Sequence, residues 1–188
     1  MNRYKLSSKD IDYCDFYCKA IPYGTTSNFI DKRTPEEHHR QELMGKLGEL
    51  IAYIHLGKKQ KFFDNADEQI DKFQTIGALG DYGVDFPDFN ADVKTSLVPK
   101  DYKFQNNYFF VTPKEWSNEK CFIKVCFYWS DFENMYTHID SQTKFLWGWV
   151  EGFSYGNQFE STINKYGKTV KAIPFNLLSS ASCLIYGN

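Results

Sequence analysis

The most informative stretch of this 188-residue chain is Gly80-Asp81-Tyr82-Gly83-Val84-Asp85-Phe86-Pro87-Asp88-Phe89-Asn90-Ala91-Asp92-Val93-Lys94-Thr95-Ser96. It predicts two short strands, 84–86 and 91–96, because β-branched and aromatic residues alternate there with polar ones. The four residues between them have the composition of a tight turn, since proline fixes φ while Asp and Asn side chains bond to nearby backbone. We therefore expect a β-hairpin over residues 82–96.

A four-residue loop sets the register of this hairpin, so that Phe86 faces Ala91 and Asp85 faces Asp92. Because side chains alternate across a strand, both carboxylates share one face with Lys94. Facing carboxylates repel each other, and a divalent cation with oxygen ligands from both would offset that repulsion. The alternative is a solvated face whose acidic pair is neutralised by Lys94. The opposite face is apolar and belongs to the core: Val84, Phe86, Ala91 and Val93.

The segment 34–57 is predicted to be the first core helix. Thr34 is a good N-cap, proline follows at the first helical position, Glu37 completes a capping box, and Gly57 is placed to end the helix. Two glycines inside it, Gly45 and Gly48, indicate a close approach by another backbone, because each costs about 1 kcal/mol against alanine. Glu49 follows Gly48 directly, so it is either a third carboxylate of the hairpin site or an ordinary exposed helix glutamate.

The remaining apolar runs predict a mixed α/β protein with a central sheet, organised as a single domain over 1–188. Residues 1–33 are expected to form an N-terminal arm that contains a short helix from about Ser8 to Ala20. Further strands are expected at 73–76, 107–112, 121–129 and 144–150, and in a final segment at 171–178.

Net charge, cysteine spacing and the distribution of apolar residues limit the functions that we expect. The net charge of −2 gives no global basic field, so nucleic-acid binding would need a local basic patch or metal ions in an acidic site. The five cysteines form no disulfide framework and no close pairs of zinc-ligand spacing. No signal peptide or membrane span is evident, so we expect a protein of the cytoplasm, or one encoded by a phage and acting inside the host cell.

Three motifs in this order resemble the PD-(D/E)XK, or restriction-endonuclease-like, nucleases. They are Gly48-Glu49, Gly83-Val84-Asp85 and Asp92-Val93-Lys94-Thr95-Ser96, and the later 146–150 and 173–177 are similar to the tail of several such families. The resemblance covers about residues 40–178 and implies an αβββαβ core, with a central mixed sheet flanked by helices. Asp92 stands where Glu is commoner in the family, and Asp88 is the substitute should Asp85 not be the motif aspartate.

The resemblance also implies the chemistry. Asp85, Asp92 and the carbonyl of Val93 would bind Mg²⁺, or Mn²⁺ in its place, with Glu49 as a further ligand. Lys94 would position and polarise the attacking water. A hard cation held by carboxylates suits the hydrolysis of a phosphodiester.

The function that follows is a divalent-metal-dependent DNA endonuclease of restriction, phage or mobile-element type. Its expected partner is double-stranded DNA, cut by a homodimer whose subunits each cleave one strand. Backbone contacts are expected from three lysines after the hairpin: Lys100, Lys103 and Lys114. The alternatives are a non-catalytic nucleic-acid-binding or assembly module on a nuclease-like fold, and a phosphoesterase acting on a small molecule.

Overall fold

A four-stranded mixed sheet forms the centre of the fold, as the mixed α/β prediction requires. The structure, a computed structural model, describes residues 2–21, 34–76, 85–86, 90–101, 107–164, 166–180 and 183. In chain order its elements are β1 (Arg3–Leu6), α1 (Ser8–Ala20), α2 (Pro35–His55), α3 (Lys59–Ile76), β2 (Ala91–Val98), β3 (Tyr108–Val111), β4 (Cys121–Tyr128), α4 (Trp129–Thr137), β5 (Leu146–Tyr155), β6 (Glu160–Ile163) and β7 (Thr169–Pro174). Single 3₁₀ turns follow β5 and β7, at Gly156–Gln158 and Phe175–Leu177.

The central sheet has the order β1-β5-β4-β2, and a second, three-stranded sheet has the order β3-β7-β6. In the central sheet β2 and β4 run parallel, while the other neighbouring pairs are antiparallel. The chain leaves β2, forms β3 in the second sheet, and returns to lay β4 beside β2. This excursion brings residues 30 positions apart into direct register, as in the pairing of Asp92 with Phe122.

The central sheet is covered on both faces by different layers. Val93 and Ile123 lie in the larger apolar cluster, which also contains buried residues of α1, α2 and α3. Phe122 and Trp149 lie in a smaller cluster with Phe109 of the second sheet. Because neighbouring residues of a strand point to opposite faces, Asp92 and Lys94 belong to the face that the second sheet covers.

The start and the packing of α2 follow the sequence closely. Thr34 caps the helix with the predicted reciprocal box to Glu37, and Gly57 has a positive φ of 69° just beyond its end. A Cβ at Gly48 would collide with the side chain of Thr95 on β2, so this glycine permits the close approach that its position predicts. The same prediction is wrong for Gly45, where a Cβ would meet no atom within 4 Å.

The hairpin register is confirmed at the one described pair. Phe86 and Ala91 form an antiparallel bridge, with both backbone hydrogen bonds at 2.9 and 3.1 Å. Asn90 adopts φ 46°, which suits the last residue of the predicted turn. The strand 91–96 is confirmed and extends to Val98. Of the predicted strand 84–86, Phe86 forms only this isolated bridge and Asp85 lies in a bend. Residues 82–84 and 87–89, with the alternative ligand Asp88, lie outside the described residues.

The N-terminal segment packs into the core, and the strand predicted at 73–76 is wrong. Residues 3–20 of the predicted N-terminal arm are part of the core, because β1 pairs with β5 and both Leu6 and Ile11 are fully buried. The short helix expected there is present as α1, and residues 22–33 lie outside the described part. The strand predicted at 73–76 is the last turn of α3, whose apolar residues Phe62, Ala66 and Ile70 recur every four positions and are buried.

The later strands are close to their predicted positions. The runs 107–112 and 121–129 contain β3 and β4, 144–150 contains the first half of β5, and 171–178 contains the end of β7 and its 3₁₀ turn. All five cysteines are free. Among the described residues, no helix combines the length and the apolar character needed to cross a membrane.

Candidate active site

The candidate site lies at the start of β2, where α2 holds the short segment that precedes the turn. Tyr53 of α2 donates a hydrogen bond to the backbone carbonyl of Asp85 at 2.9 Å. Its ring also stacks on Phe86, with ring centroids 3.8 Å apart. The Asp85 carboxylate in turn accepts a hydrogen bond from the backbone N–H of Val93 at 2.6 Å. These contacts hold Asp85 against β2, next to Asp92.

Lys94 lies next to Asp92, as the alternation along β2 requires. Its Nζ is 3.9 Å from Oδ2 of Asp92 and 2.8 Å from Oε1 of Glu115. Glu115 is held by a hydrogen bond from the Thr112 hydroxyl at 2.8 Å. Burial alone would lower the pKa of Lys94, but the hydrogen bond to Glu115 and the nearby carboxylates outweigh it and raise the pKa. Lys94 is therefore a charged donor in this site and not a base.

A second lysine shares the same carboxylate. Lys120, just before β4, places its Nζ 3.0 Å from Oδ2 of Asp92. Asp92 is only 6% exposed, so both ammonium groups reach a carboxylate that is largely shielded from water. Lys94 and Lys120 together with Asp92 and Glu115 therefore form a cluster of two cations and two carboxylates.

Glu49 also lies near Asp85, but its carboxylate forms an ion pair with a lysine of the same helix. Lys46 lies one turn earlier on α2 and places its Nζ 2.6 Å from Oε2 of Glu49. The charge of Glu49 contributes to raising the pKa of Asp85, so the two carboxylates are close enough to interact. The structure thus places Glu49 at the site, with its carboxylate paired to Lys46.

The carboxyl group of Asp85 has a strongly raised pKa. Burial, the charge of Glu49 and the charge of Asp92 together raise its pKa to about 7, and the Val93 N–H offsets only part of this effect. A carboxylate crowded by two others is the situation that a divalent cation relieves.

The donor set fits a hard cation, although it is sparse. Asp85, Asp92 and the carbonyl of Val93 are oxygen donors of the kind that Mg²⁺ prefers. Within the described ranges, no three His, Cys, Asp or Glu side chains lie close enough together to form a metal cluster. Glu49 would therefore act through water, or after Lys46 has moved away.

Glu115, Lys120 and Lys46 were not predicted from the sequence. Lys46 could have been found, because residues three apart on a helix are neighbours and Glu49 was already a candidate. Glu115 and Lys120 reach β2 only through the loop between β3 and β4. Nothing in the local sequence indicates that contact.

The predicted DNA-contacting lysines are spread over the surface. Lys100 is exposed and forms an ion pair with Asp131 of α4 at 3.1 Å. Lys114 is exposed one residue before Glu115, on the loop that reaches Lys94. Lys103 lies outside the described residues. The structure therefore brings Lys114 near the candidate site and places Lys100 beyond the far end of β2.

Comparisons with known proteins provide no family for this chain, so the function is inferred from the residues of the site. The chain matches no family model, no curated protein and no solved structure.

Proposed function

We propose that this chain is a divalent-metal-dependent DNA endonuclease of the PD-(D/E)XK type, as its motifs imply. The observation that carries the proposal is the Phe86–Ala91 bridge. It holds Asp85 beside Asp92, with Lys94 3.9 Å from Asp92. The mixed α/β architecture is compatible with a nuclease of this type, and the finer αβββαβ core is part of the proposal.

Each residue has a defined role in the proposed reaction. Asp85, Asp92 and the Val93 carbonyl would hold Mg²⁺ or Mn²⁺, and Glu49 would take part through water. The bound cation would supply charge stabilisation for the phosphate and the leaving oxygen, and would favour ionisation of the attacking water. Lys94 stays protonated and donates a hydrogen bond that orients the water toward phosphorus, while Glu115 keeps its ammonium group in place.

Duplex cleavage by a homodimer belongs to the same proposal, since two antiparallel strands call for two sites related by two-fold symmetry. Lys114 is the candidate closest to the site for a contact with the DNA backbone.

A cleavage assay on supercoiled plasmid tests this function, with Mg²⁺, Mn²⁺ or EDTA added. We expect nicking or linearisation with either metal, none with EDTA, and a loss of at least 100-fold in Lys94→Ala and Asp92→Ala. The matched control is Lys9→Ala, at an exposed lysine of α1, which keeps full activity. Equal cleavage by Lys94→Ala would contradict the proposal.

One observation favours the non-catalytic alternative, a nucleic-acid-binding module on a nuclease-like fold. Asp92 and Glu49 each already have a lysine partner, Lys120 and Lys46, at 3.0 and 2.6 Å. Internal ammonium groups can neutralise a carboxylate site that no longer needs a metal. Calorimetric titration with Mg²⁺ separates the two functions: heat of binding that disappears in Asp85→Asn favours the nuclease, and no binding together with no cleavage favours the module.

A further inference from the structure

A second surface with features of a ligand site lies at the end of the central sheet away from Asp92. β1 is the outer strand here, and Lys5 pairs with Trp147 while Arg3 pairs with Trp149. Directly paired residues share a face of the sheet, so the two cations and the two indole rings point the same way. Trp149 is buried, whereas Trp147 is 38% exposed.

Cations and rings interleave on this surface. The Lys5 ammonium lies 4.6 Å from the centroid of Phe145, whose ring is 52% exposed. The Arg3 guanidinium lies 5.0 Å from the centroid of Tyr128 and donates a hydrogen bond to its hydroxyl at 2.6 Å. We define Arg3, Lys5, Tyr128, Phe145 and Trp147 as the basic-aromatic surface.

A cavity of about 390 Å³ adjoins the basic-aromatic surface. Phe145 and Trp147 line it on one side, and Asn134 of α4 and His138 just beyond that helix line it on another. Pockets of this size bind small planar ligands, and aromatic walls with a few polar groups are their usual lining. One nucleobase fits these dimensions, with a ring to stack on and polar groups to meet its edge.

We propose that the basic-aromatic surface binds single-stranded nucleic acid, with bases stacked on Phe145 and Trp147 and phosphates held by Arg3 and Lys5. Exposed rings beside cations are what a single strand requires, because unstacked bases offer π-faces and the backbone offers negative charge. A duplex keeps its bases stacked inside, where these rings do not reach. An acidic peptide would use the cations but not the rings.

The basic-aromatic surface lies at the opposite end of β2 from the candidate active site. Tyr128 pairs with Val98 at the far end of β2, about 20 Å from Asp92 at ~3.3 Å per residue. A strand bound here and running toward Asp92 would present a backbone position several nucleotides away to the site. The inference takes nucleic acid as the partner class from the proposed function, but it needs neither metal nor cleavage.

Fluorescence anisotropy with a labelled 15-nucleotide oligo(dT) tests the proposal, in EDTA and on the Lys94→Ala background. These conditions separate binding from cleavage, so a failed plasmid assay leaves this test intact. We expect Trp147→Ala to weaken binding about 10-fold, with recovery in Trp147→Phe because a ring is restored. Lys5→Glu should weaken binding and reduce the salt dependence by about one counterion.

The matched controls are Phe16→Ala, an exposed ring on α1, and Lys9→Glu, an exposed lysine on the same helix. Both are expected to bind within about two-fold of the parent protein. Thermal melting of each variant checks that it is folded. The proposal is overturned if Trp147→Ala binds oligo(dT) like Phe16→Ala, if Trp147→Ala weakens the binding of a 15-base-pair duplex as much as that of oligo(dT), or if poly-glutamate competes as well as oligo(dT).

Discussion

At the scale of single residues, two of the three carboxylates of the candidate site form ion pairs with lysines. Asp92 has Lys94 at 3.9 Å and Lys120 at 3.0 Å, and Glu49 has Lys46 at 2.6 Å. Asp85 has no ion pair among the described residues and is left to carry the repulsion of both carboxylates. The Val93 N–H and the charge of Lys46 offset only part of this repulsion, so a cation from solution would relieve the rest.

The first prediction concerns Asp85 and pH. Its pKa is raised to about 7, above the value of about 3.9 in an unfolded chain, so the folded state prefers the protonated form. Its contribution to the free energy of unfolding is therefore present below pH ~4 and is lost as pH rises to about 7. We expect Asp85→Asn, without added metal, to match wild type at pH 4 and to be more stable by on the order of 4 kcal/mol at pH 8.

Urea denaturation at both pH values measures this difference. Asp64→Asn, at an exposed carboxylate of α3, is the control and should show no such change between pH 4 and pH 8. A constant difference between Asp85→Asn and wild type at the two pH values would contradict the prediction.

The second prediction concerns Lys124, a buried lysine of β4 in register with Lys94. Its Nζ donates to the Ser96 hydroxyl, lies 5.1 Å from the ring centroid of Phe109, and has no ion pair within the described ranges. Burial and the charge of Lys94 lower its pKa. We expect Lys124→Met to raise the free energy of unfolding at pH 7 by about 1 kcal/mol, because the stem is retained and a buried charge is removed.

The sign of the pH dependence is a further check on Lys124. A lysine whose pKa is lower in the folded state loses its proton there first, so wild type gains stability as pH rises toward the unfolded value. The advantage of Lys124→Met should therefore shrink between pH 7 and pH 10. An advantage that grows over this range would show that the lysine is not penalised by burial.

At the scale of elements, what the sequence predicts is local. The capping box of α2 and the Phe86–Ala91 register depend on residues a few positions apart, and both are present in the structure. The parallel pairing of β2 with β4 was not predictable, because β3 crosses to another sheet between them. Glu115 and Lys120 lie on that excursion, which is why the motif alone did not reveal them.

The strand predicted at 73–76 is wrong because local residue preference does not decide the structure there. Phe73, Thr75 and Ile76 are residues common in strands, yet they continue a helix that begins at Lys59. The buried face of α3 extends helical spacing into this segment, and packing overrides the weaker preference of four residues.

The third prediction compares two glycines of α2. A Cβ at Gly48 would overlap the Thr95 side chain, whereas a Cβ at Gly45 would meet nothing within 4 Å. We expect Gly48→Ala to lower the free energy of unfolding by about 2 kcal/mol and Gly45→Ala to raise it by up to about 1 kcal/mol.

Thermal and urea denaturation measure both variants, which differ by one methyl group on the same helix. Adding Thr95→Ala to Gly48→Ala should recover part of the loss, because the overlapping hydroxyl and methyl are removed. Equal destabilisation by Gly45→Ala would mean that the overlap with Thr95 does not account for the loss in Gly48→Ala.

At the scale of the whole molecule, the central sheet joins two apolar clusters, one under the helices and one under the second sheet. The candidate site lies on the edge strand of that sheet, at the border between the layers. A ligand bound there would bridge α2, the hairpin segment and β2, and would stabilise the folded state as a unit.

The fourth prediction follows from that arrangement. We expect 10 mM MgCl₂ at pH 8 to raise the melting temperature by about 2–4 °C for each kcal/mol by which bound Mg²⁺ stabilises the folded state. Asp85→Asn and Asp92→Asn should lose the shift, and Asp64→Asn should keep it. A shift that survives in both site variants would assign the ion to another part of the surface.

The place of β1 has a consequence for how the protein is made. Arg3 of β1 bonds Tyr128, a residue 125 positions away, and the strand pairs with β5, so it has no neighbour in the sheet until Leu146–Tyr155 has left the ribosome. β1 comes first among the described strands, yet it is paired only when β5 is available, and closing so long a loop is slow. Completion of the central sheet therefore waits for β5 during synthesis, and until then the nascent chain carries a strand whose backbone groups are unpaired.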